Sequence, residues 1–512
     1  MVSTVKEKLK SSADSIPADG LSMSRLLVDS DREARLRLTI EDMAIDLTRQ
    51  NVTDDHLHLL LQYADEMQVM EKCHAMLDGD IVNPAEQRSA LHAHLRDPSQ
   101  PMAQSSVDAM AGHIDRLMEM GITDIVSIGI GGSDLGPAMA VAALSPYHQG
   151  PDIHFVSNLD PSQMGDCLAG LDPSTTAVLV ISKSFSTMET MANMDMAKRW
   201  LADHEQNPSG RMLAITSMPD KAVDAGFEKD MILILDEAIG GRYSIWSVVS
   251  FGLMLAIGPT GFRAMLAGGH AVDQHILSVS NHQNAPLNIA LMRFWNTSIL
   301  GYQAESLCPY DQRLARFPAW VQQLEMESNG KSVDSAGDPV NGYTAPIIFG
   351  EPGSNAQHSF FQHLHQSPII TPITFMAPLR PLMADASMAA DLVADHHDAL
   401  VIQMLAQADA LALGSKDGPF PGGRPSTLIT WLQVSPYTMG RLFALFEYVT
   451  TMSGSLWGLN SFDQPGVELG KIRAKAYQNI YRGHDETGDI ETSSRHIFKQ
   501  LRDLRSGPQI KS

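Results

Sequence analysis

The chain is predicted to be an α/β protein built on largely parallel sheets flanked by helices, and three observations carry that prediction. From about residue 120, short apolar runs recur at strand length, separated by polar segments of helical period. A second set of such runs begins near residue 300. At the end of the first run, Gly129-Ile130-Gly131-Gly132-Ser133-Asp134-Leu135-Gly136-Pro137 reads as a strand turning through glycines into a helix.

Taken in order, residues 30–100 read as helical, with apolar positions through Leu59-Leu60-Leu61, Met67, Met70 and Met76 and no β-branched runs. The first set of apolar runs is Asp124–Ile130, Ile153–Val156, Ala177–Ile181, Met212–Ile215 and Met231–Leu235. Uninterrupted apolar strands alternating with helices predict a doubly wound parallel sheet covered on both faces. Val248 to Leu255 reads as a buried helix leaving that sheet. The second set, Leu300–Leu307, Ala345–Phe349, Ile369–Phe375 and Thr427–Gln433, predicts a second α/β domain. From Lys471 to Ser512 the pattern is polar and helical, with nine Lys/Arg against five Asp/Glu.

At 512 residues, two or three domains are expected. Hydrophobic residues at 44% and charged residues at 19% describe a globular chain. The longest nearly apolar stretch, Val248 to Ile257, is broken by Ser250 and Gly252, so no membrane span is expected. Met1 to Lys10 carries three lysines and no apolar core region, so no secretory signal is expected either. Cys73, Cys167 and Cys308 are scattered, which argues against a disulfide framework or zinc ribbon and for a reducing cytoplasm. Thirty-seven Lys+Arg against 59 Asp+Glu give a net charge of −22, which disfavours nucleic acid and anionic membrane as partners. A phosphorylated substrate would have to be drawn in by local cations acting within a Debye length of about 8–10 Å.

Five segments bear chemistry. In Gln322-Gln323-Leu324-Glu325-Met326-Glu327-Ser328-Asn329-Gly330-Lys331, Glu327 sits among amides, a hydroxyl and a glycine, with Lys331 the one nearby cation. Such a carboxylate suits a general base; the same spacing also describes a surface helix closed by a glycine. The turn around Gly129–Pro137 can offer backbone N–H groups and the Ser133 hydroxyl to an anion at a helix N-terminus. It departs from the dinucleotide pattern at Asp134 and from the phosphate-loop pattern at Pro137. Ser182-Lys183-Ser184-Phe185-Ser186-Thr187 sets four hydroxyls and a lysine in six residues, the donors a phosphate monoester needs. A helix cap accounts for one of those hydroxyls, not four. Gly240-Gly241-Arg242-Tyr243-Ser244 puts an arginine on a double-glycine turn, able to face a developing oxyanion or to serve a structural ion pair. Gly350-Glu351-Pro352-Gly353-Ser354-Asn355-Ala356-Gln357-His358 precedes His363 and His365, but no carboxylate or cysteine completes a metal set.

Together with Phe462-Asp463-Gln464-Pro465-Gly466-Val467-Glu468-Leu469-Gly470-Lys471, these segments resemble, in order, the motifs of the glucose-6-phosphate isomerase family over nearly the whole chain. Departures are Ser184 and Ser186 for threonines, Ala356 for a glycine, and Pro465 for a tryptophan. The resemblance implies two sugar-isomerase-type domains, each a three-layer αβα unit. The divisions are a helical N-terminal segment over 1–104 packing on the second domain, a first domain over 105–265, a second over 266–470, and a helical arm over 471–512. It implies reversible conversion of glucose 6-phosphate to fructose 6-phosphate through a cis-enediol(ate), without metal or organic cofactor. Phosphate would sit on Ser182, Ser184 and Thr187, with Ser133 and Lys183 close by. His358 and Lys471 would open the sugar ring, Glu327 would carry the proton between C2 and C1, Arg242 would face the intermediate's charge, and Gln323 and Gln464 would orient the sugar. A homodimer is implied, with its active site shared between subunits. The alternatives are another or dual specificity, such as mannose 6-phosphate, and a non-catalytic sugar-phosphate-binding regulator.

Overall fold

The first strands lie where the sequence reads as helix. In the computed structural model, which describes residues 4–14, 23–204, 207–208, 210–383, 387–482 and 490–506, β1 (Arg37–Ile40) and β2 (Met43–Asp46) form an antiparallel hairpin. Each alternates exposed and buried positions about a turn at Glu41, whose φ is +56°. Four residues of period two are too few to stand out between helices. What makes them strands is pairing, because β2 extends the second sheet through antiparallel register with Leu428–Thr430. A smaller hairpin follows, β3 (Ile81–Asn83) with β4 (Arg88–Ser89).

The contacts divide the chain into two units, Met1–Phe462 and Asp463–Ser512. The first unit holds both large sheets. One contains β5 (Asp124–Ile128), β6 (Asp152–Val156), β7 (Thr176–Ile181), β8 (Met212–Thr216) and β9 (Ile232–Ile234), all parallel, in the order β6-β5-β7-β8-β9. Every residue of β7 is buried, as expected of a strand with helices on both faces. The other contains β10 (Ala304–Pro309), β11 (Ile347–Phe349), β12 (Ile373–Pro378) and β13 (Ser426–Trp431), parallel in the order β11-β10-β12-β13, with the β2-β1 hairpin beyond β13. In both sheets the second strand lies on one side of the first and the third on the other. The strand order therefore switches direction between β5 and β7 and again between β10 and β12, and ligands of doubly wound sheets bind outside the carboxyl ends of the strands at such points.

Helices Phe251–Ser278, Ala285–Phe294 and Pro436–Trp457 fill the core, and every residue of Ala285–Phe294 is buried. The Phe251–Ser278 helix kinks at Gly258 (φ 75°, ψ 162°), just before Pro259. The stretch Val248–Ser278 is long and apolar enough to cross a membrane, the one such helix among the described residues, but 67% of its apolar window is buried inside the protein. It is the central helix of the first unit.

That core encloses a charged knot. Arg96, with a fully buried side chain, donates to Asp273 at 2.7–3.1 Å and to Glu447 at 2.6 Å. Trp246 Nε1 donates to Glu447 at 2.8 Å, the Tyr448 hydroxyl donates to Asp273 at 2.6 Å, and the guanidinium lies 4.6 Å from the Trp246 ring. Burial pushes the Glu447 carboxyl up, while Arg96 pulls it back. Arg96→Met should lower stability by about 3–5 kcal/mol, because it strands two buried carboxylates without their cation. A urea-unfolding midpoint within error of the parent's would show that the knot is not what holds these helices.

Candidate active site

The carboxyl edge of the first sheet gathers most of the predicted site. After β5 the chain passes through a 3₁₀ turn, Gly131–Ser133, into the helix Leu135–Ala143. Gly131 has φ +63°, the left-handed region where glycine is at home. Gly132 lies against the turn after β9, since a Cβ there would stand 2.0 Å from the Gly241 carbonyl oxygen. That contact admits no side chain, so the two glycine turns are locked backbone to backbone. A Cβ on Gly131 would meet Gln323 Nε2 at 3.2 Å, which places the Gln323 amide beside the same turn. Ser133 is half-buried there.

Arg242 leaves the second glycine turn inside a 3₁₀ segment, Gly241–Trp246, whose side chains from Arg242 onward are all buried. Its Nε donates to Ser328 Oγ at 2.6 Å and its Nη2 to the Ser461 carbonyl at 2.7 Å. The Tyr243 hydroxyl shares both partners, 2.9 Å from Ser328 Oγ and 3.1 Å from the Ser461 carbonyl. Burial pushes that phenol up to about 12, so it is a neutral hydrogen-bonding group at ordinary pH. Arg242 Nη1 stands 3.7 Å from Glu327 Oε1, whose side chain keeps 23% of its surface in solvent.

Glu327 and Gln323 project from one face of the helix Phe317–Asn329, four residues apart, and Gln323 Nε2 donates to Glu327 Oε2 at 2.8 Å. On the opposite face Glu325 is fully buried and accepts from Arg293 at 2.8 Å, from Thr450 Oγ1 at 2.9 Å and from Asn329 Nδ2 at 2.9 Å. Adjacent acidic residues thus differ completely in role, one anchoring the helix in the core and the other facing the cleft. The cation beside Glu327 is Arg242 rather than Lys331. The Lys331 ammonium turns instead to the carbonyls of Ser328 and Asn460. Gly330 ends the helix with φ −74°, so its role there is room: a Cβ would meet the Met326 carbonyl oxygen at 2.3 Å.

The hydroxyl loop follows β7 directly. Ser182 is buried, Lys183 and Thr187 are half-buried, and Ser184 and Ser186 are exposed. Ser182 Oγ lies 3.3 Å from Thr187 Oγ1, and Ser186 Oγ 2.9 Å from Ser184 Oγ. Thr187 caps the helix Met188–Asp203 without a side-chain bond to it, leaving the hydroxyl and the first helical N–H groups pointed at the loop. The Lys183 ammonium donates to the carbonyls of Glu237 (2.7 Å) and Ile239 (2.9 Å), tying the loop to the segment that runs into Gly240–Arg242. Burial, then the nearby Arg88, holds its pKa below the usual lysine value. An unbroken set of contacts therefore joins the hydroxyl loop, both glycine turns, Arg242 and the Gln323–Glu327 face.

The remaining predicted residues are His358, Gln464 and Lys471. His358 closes the short helix Gly353–Gln357 with an exposed side chain, while Ala356 is fully buried beneath it and fits the place of a glycine. His365 Nε2 pairs with Gln407 Oε1 at 2.9 Å, and no group of three His, Cys, Asp or Glu among the described residues could hold a metal. Gln464 and Lys471 belong to the second unit. Pro465 opens a 3₁₀ turn there, with Gln464 before it at φ −153°, ψ 59°, and exposed Lys471 pairs with Glu468 at 2.7 Å on the helix Glu468–Tyr481. The residues that motif reading passed over are Tyr243, Ser328, Ser461 and Lys221. The first two adjoin Arg242 and Glu327 in sequence, which is the signal that could have found them. A cavity of about 620 Å³, lined by Arg35, Arg37, His58 and His275 among others, shares no residue with this cluster. Both its arginines are engaged by carboxylates, Arg35 with Asp29 and Asp54, and Arg37 with Glu33 and Asp46.

The chain is similar to known proteins over most of its length. The family profile described as phosphoglucose isomerase matches residues 46–498. A glucose-6-phosphate isomerase of Xanthobacter autotrophicus is 41% identical over 496 residues, covering 88% of this chain and 89% of its own. One from a Jannaschia species is 38% identical, with 91% and 93% covered. The crystal structure of a glucose-6-phosphate isomerase from Chlamydia trachomatis superposes with a TM-score of 0.87 at 29% identity, covering 98% of this chain and 99% of that one. A profile match over residues 46–498, which takes in every parallel strand and every motif from Gly129 to Lys471, together with relatives 38% and 41% identical over most of both chains, shows that this chain belongs to the phosphoglucose isomerase family.

Proposed function

We propose that this chain interconverts glucose 6-phosphate and fructose 6-phosphate, with Glu327 as the proton carrier. The observation that carries the reading is the Glu327 carboxylate, partly open to solvent, with Gln323 on one oxygen and Arg242 at 3.7 Å from the other. Aldose–ketose exchange removes a proton from the carbon beside a carbonyl and returns it to the neighbouring carbon. One base positioned between C2 and C1 can do both. As the C2 proton leaves, negative charge grows on the carbonyl oxygen, and a buried guanidinium already held in place stabilises it without reorganising. The C2 hydroxyl proton passes to the C1 oxygen, and return of the proton from Glu327 to C1 then gives the ketose and regenerates the carboxylate.

The hydroxyl loop supplies the other requirement. Ser182, Ser184 and Thr187 donate to phosphate at the switch point of the first sheet, with Ser133 on the adjacent turn. Lys183 acts there from behind, through the segment it holds. His358 and Lys471 are the groups we assign to proton transfer during ring opening, and Gln464 to orienting the sugar. The substrate is thus a small phosphorylated sugar, and we place the reaction in the cytoplasm.

Glu327→Gln keeps the shape and the Gln323 contact but removes the proton carrier. It should cut kcat by at least about 10²–10⁴-fold with little change in sugar-phosphate binding. Substantial solvent deuterium at C2 in that variant would sink the assignment.

We further propose a homodimer in which the partner subunit's His358 completes each site. The support is the exposed imidazole at the end of Gly353–Gln357 together with the shared site that the motif resemblance implies. Mixing Glu327→Gln with His358→Ala under subunit exchange makes half the dimers mixed, each with one intact site. Roughly a quarter of parental activity should return if the twofold closes this way. No recovery after verified exchange would rule the shared site out.

A further inference from the structure

The hydroxyl loop is built on a backbone that an ordinary residue resists. Phe185 has φ +46°, a left-handed conformation that non-glycine residues rarely adopt. Something must hold it there, and three contacts do. The Phe185 ring is buried edge-on against Phe227, with centroids 5.7 Å apart. The Lys183 carbonyl accepts from the Ser217 N–H and the Thr216 hydroxyl, both at 3.1 Å. The Ser184 carbonyl, which belongs to the peptide leading into Phe185, accepts from the Lys221 ammonium at 2.9 Å.

Lys221 stands on the short helix Pro219–Asp224, which follows the next strand, β8. Two successive carbonyls of the loop, those of Lys183 and Ser184, are thus each engaged by donors from the β8 side, which masks two anion-repelling groups. The Ser184, Ser186 and Thr187 hydroxyls, and the N–H groups opening the Met188–Asp203 helix, are then left to face a phosphate. A charged donor also holds a carbonyl more firmly than a neutral one does.

We propose that Lys221 is a positioning residue for substrate phosphate, holding the Ser184–Phe185 peptide in its anion-receiving orientation. The proposal rests on the reading of residues 182–187 as the phosphate loop. Lys221 touches neither the reacting carbons nor Glu327, so its loss should fall on binding of the phosphate rather than on proton transfer.

The test compares Lys221→Met, Lys221→Gln and Lys221→Arg, using glucose 6-phosphate for turnover and inorganic phosphate as a competing probe. Lys221→Met should raise KM and the inhibition constant of phosphate together, by at least about 10-fold, the lower end of the worth of one hydrogen bond to a charged group. The effect on kcat should be much smaller. Lys221→Arg should restore most of the loss and Lys221→Gln, a neutral donor, part of it. A pure field effect would vanish at about 0.5 M salt, whereas an anchoring contact persists. Unchanged KM and phosphate inhibition in Lys221→Met, or a defect abolished by salt, would overturn the proposal. Parental protein inactive on glucose 6-phosphate would instead overturn the isomerase reading, and phosphate affinity, measured by calorimetry, would still decide the role of Lys221.

Discussion

A buried guanidinium organises this site. Arg242 arrives from the carboxyl edge of the first sheet, yet its hydrogen-bond partners, Ser328 and the Ser461 carbonyl, come from the helix after β10 and from the segment after the Pro436–Trp457 helix. A buried cation without acceptors is costly, so the two halves of the first unit must meet where those acceptors are. Tyr243 reinforces the same junction by sharing both. Its Nη1 also stands 3.7 Å from Glu327 Oε1, close enough to stabilise charge there and too far for a tight bidentate pair.

Rigidity behind the cleft comes from buried charge. Arg293 is ringed by Glu305 and Glu325, the latter also accepting from Thr450 and Asn329. Asn329 in turn accepts from Ser461 Oγ at 2.7 Å, and the Ser461 carbonyl accepts from Arg242. The contacts thus run without a gap from a buried ion cluster to Arg242, the cation beside Glu327. The Arg96 knot does the same for Trp246, the last residue of the 3₁₀ segment that carries Arg242. Such networks contribute little as isolated surface pairs would, but breaking one partner inside the core is severe. Their value here is that they fix directions.

The net charge of −22 would repel a phosphate from afar. Locally the carboxyl edge of the first sheet presents Lys183, Lys221, Arg242 and helix N-termini. All three cations donate to backbone carbonyls, so they tie segments of this edge together as well as adding positive potential to it.

Much of this was legible in one dimension. Strand-length apolar runs disclosed both parallel sheets, because a strand covered on two faces must be apolar at every position, as β7 is. Motif order disclosed the family, and the segments it singled out, Glu327, Arg242 and the Ser182–Thr187 loop, are joined by contacts in the fold. The β1–β2 hairpin was not legible, since its stability lies in register with β13, almost 400 residues away. Nor was the partner of Glu327: the nearest cation in sequence, Lys331, turns to carbonyls, and a guanidinium from 85 positions upstream takes its place. Sequence by itself determined which chemical groups the chain owns and the period of its elements. Only the tertiary structure decided which groups face one another, because side-chain direction depends on acceptors supplied by distant segments.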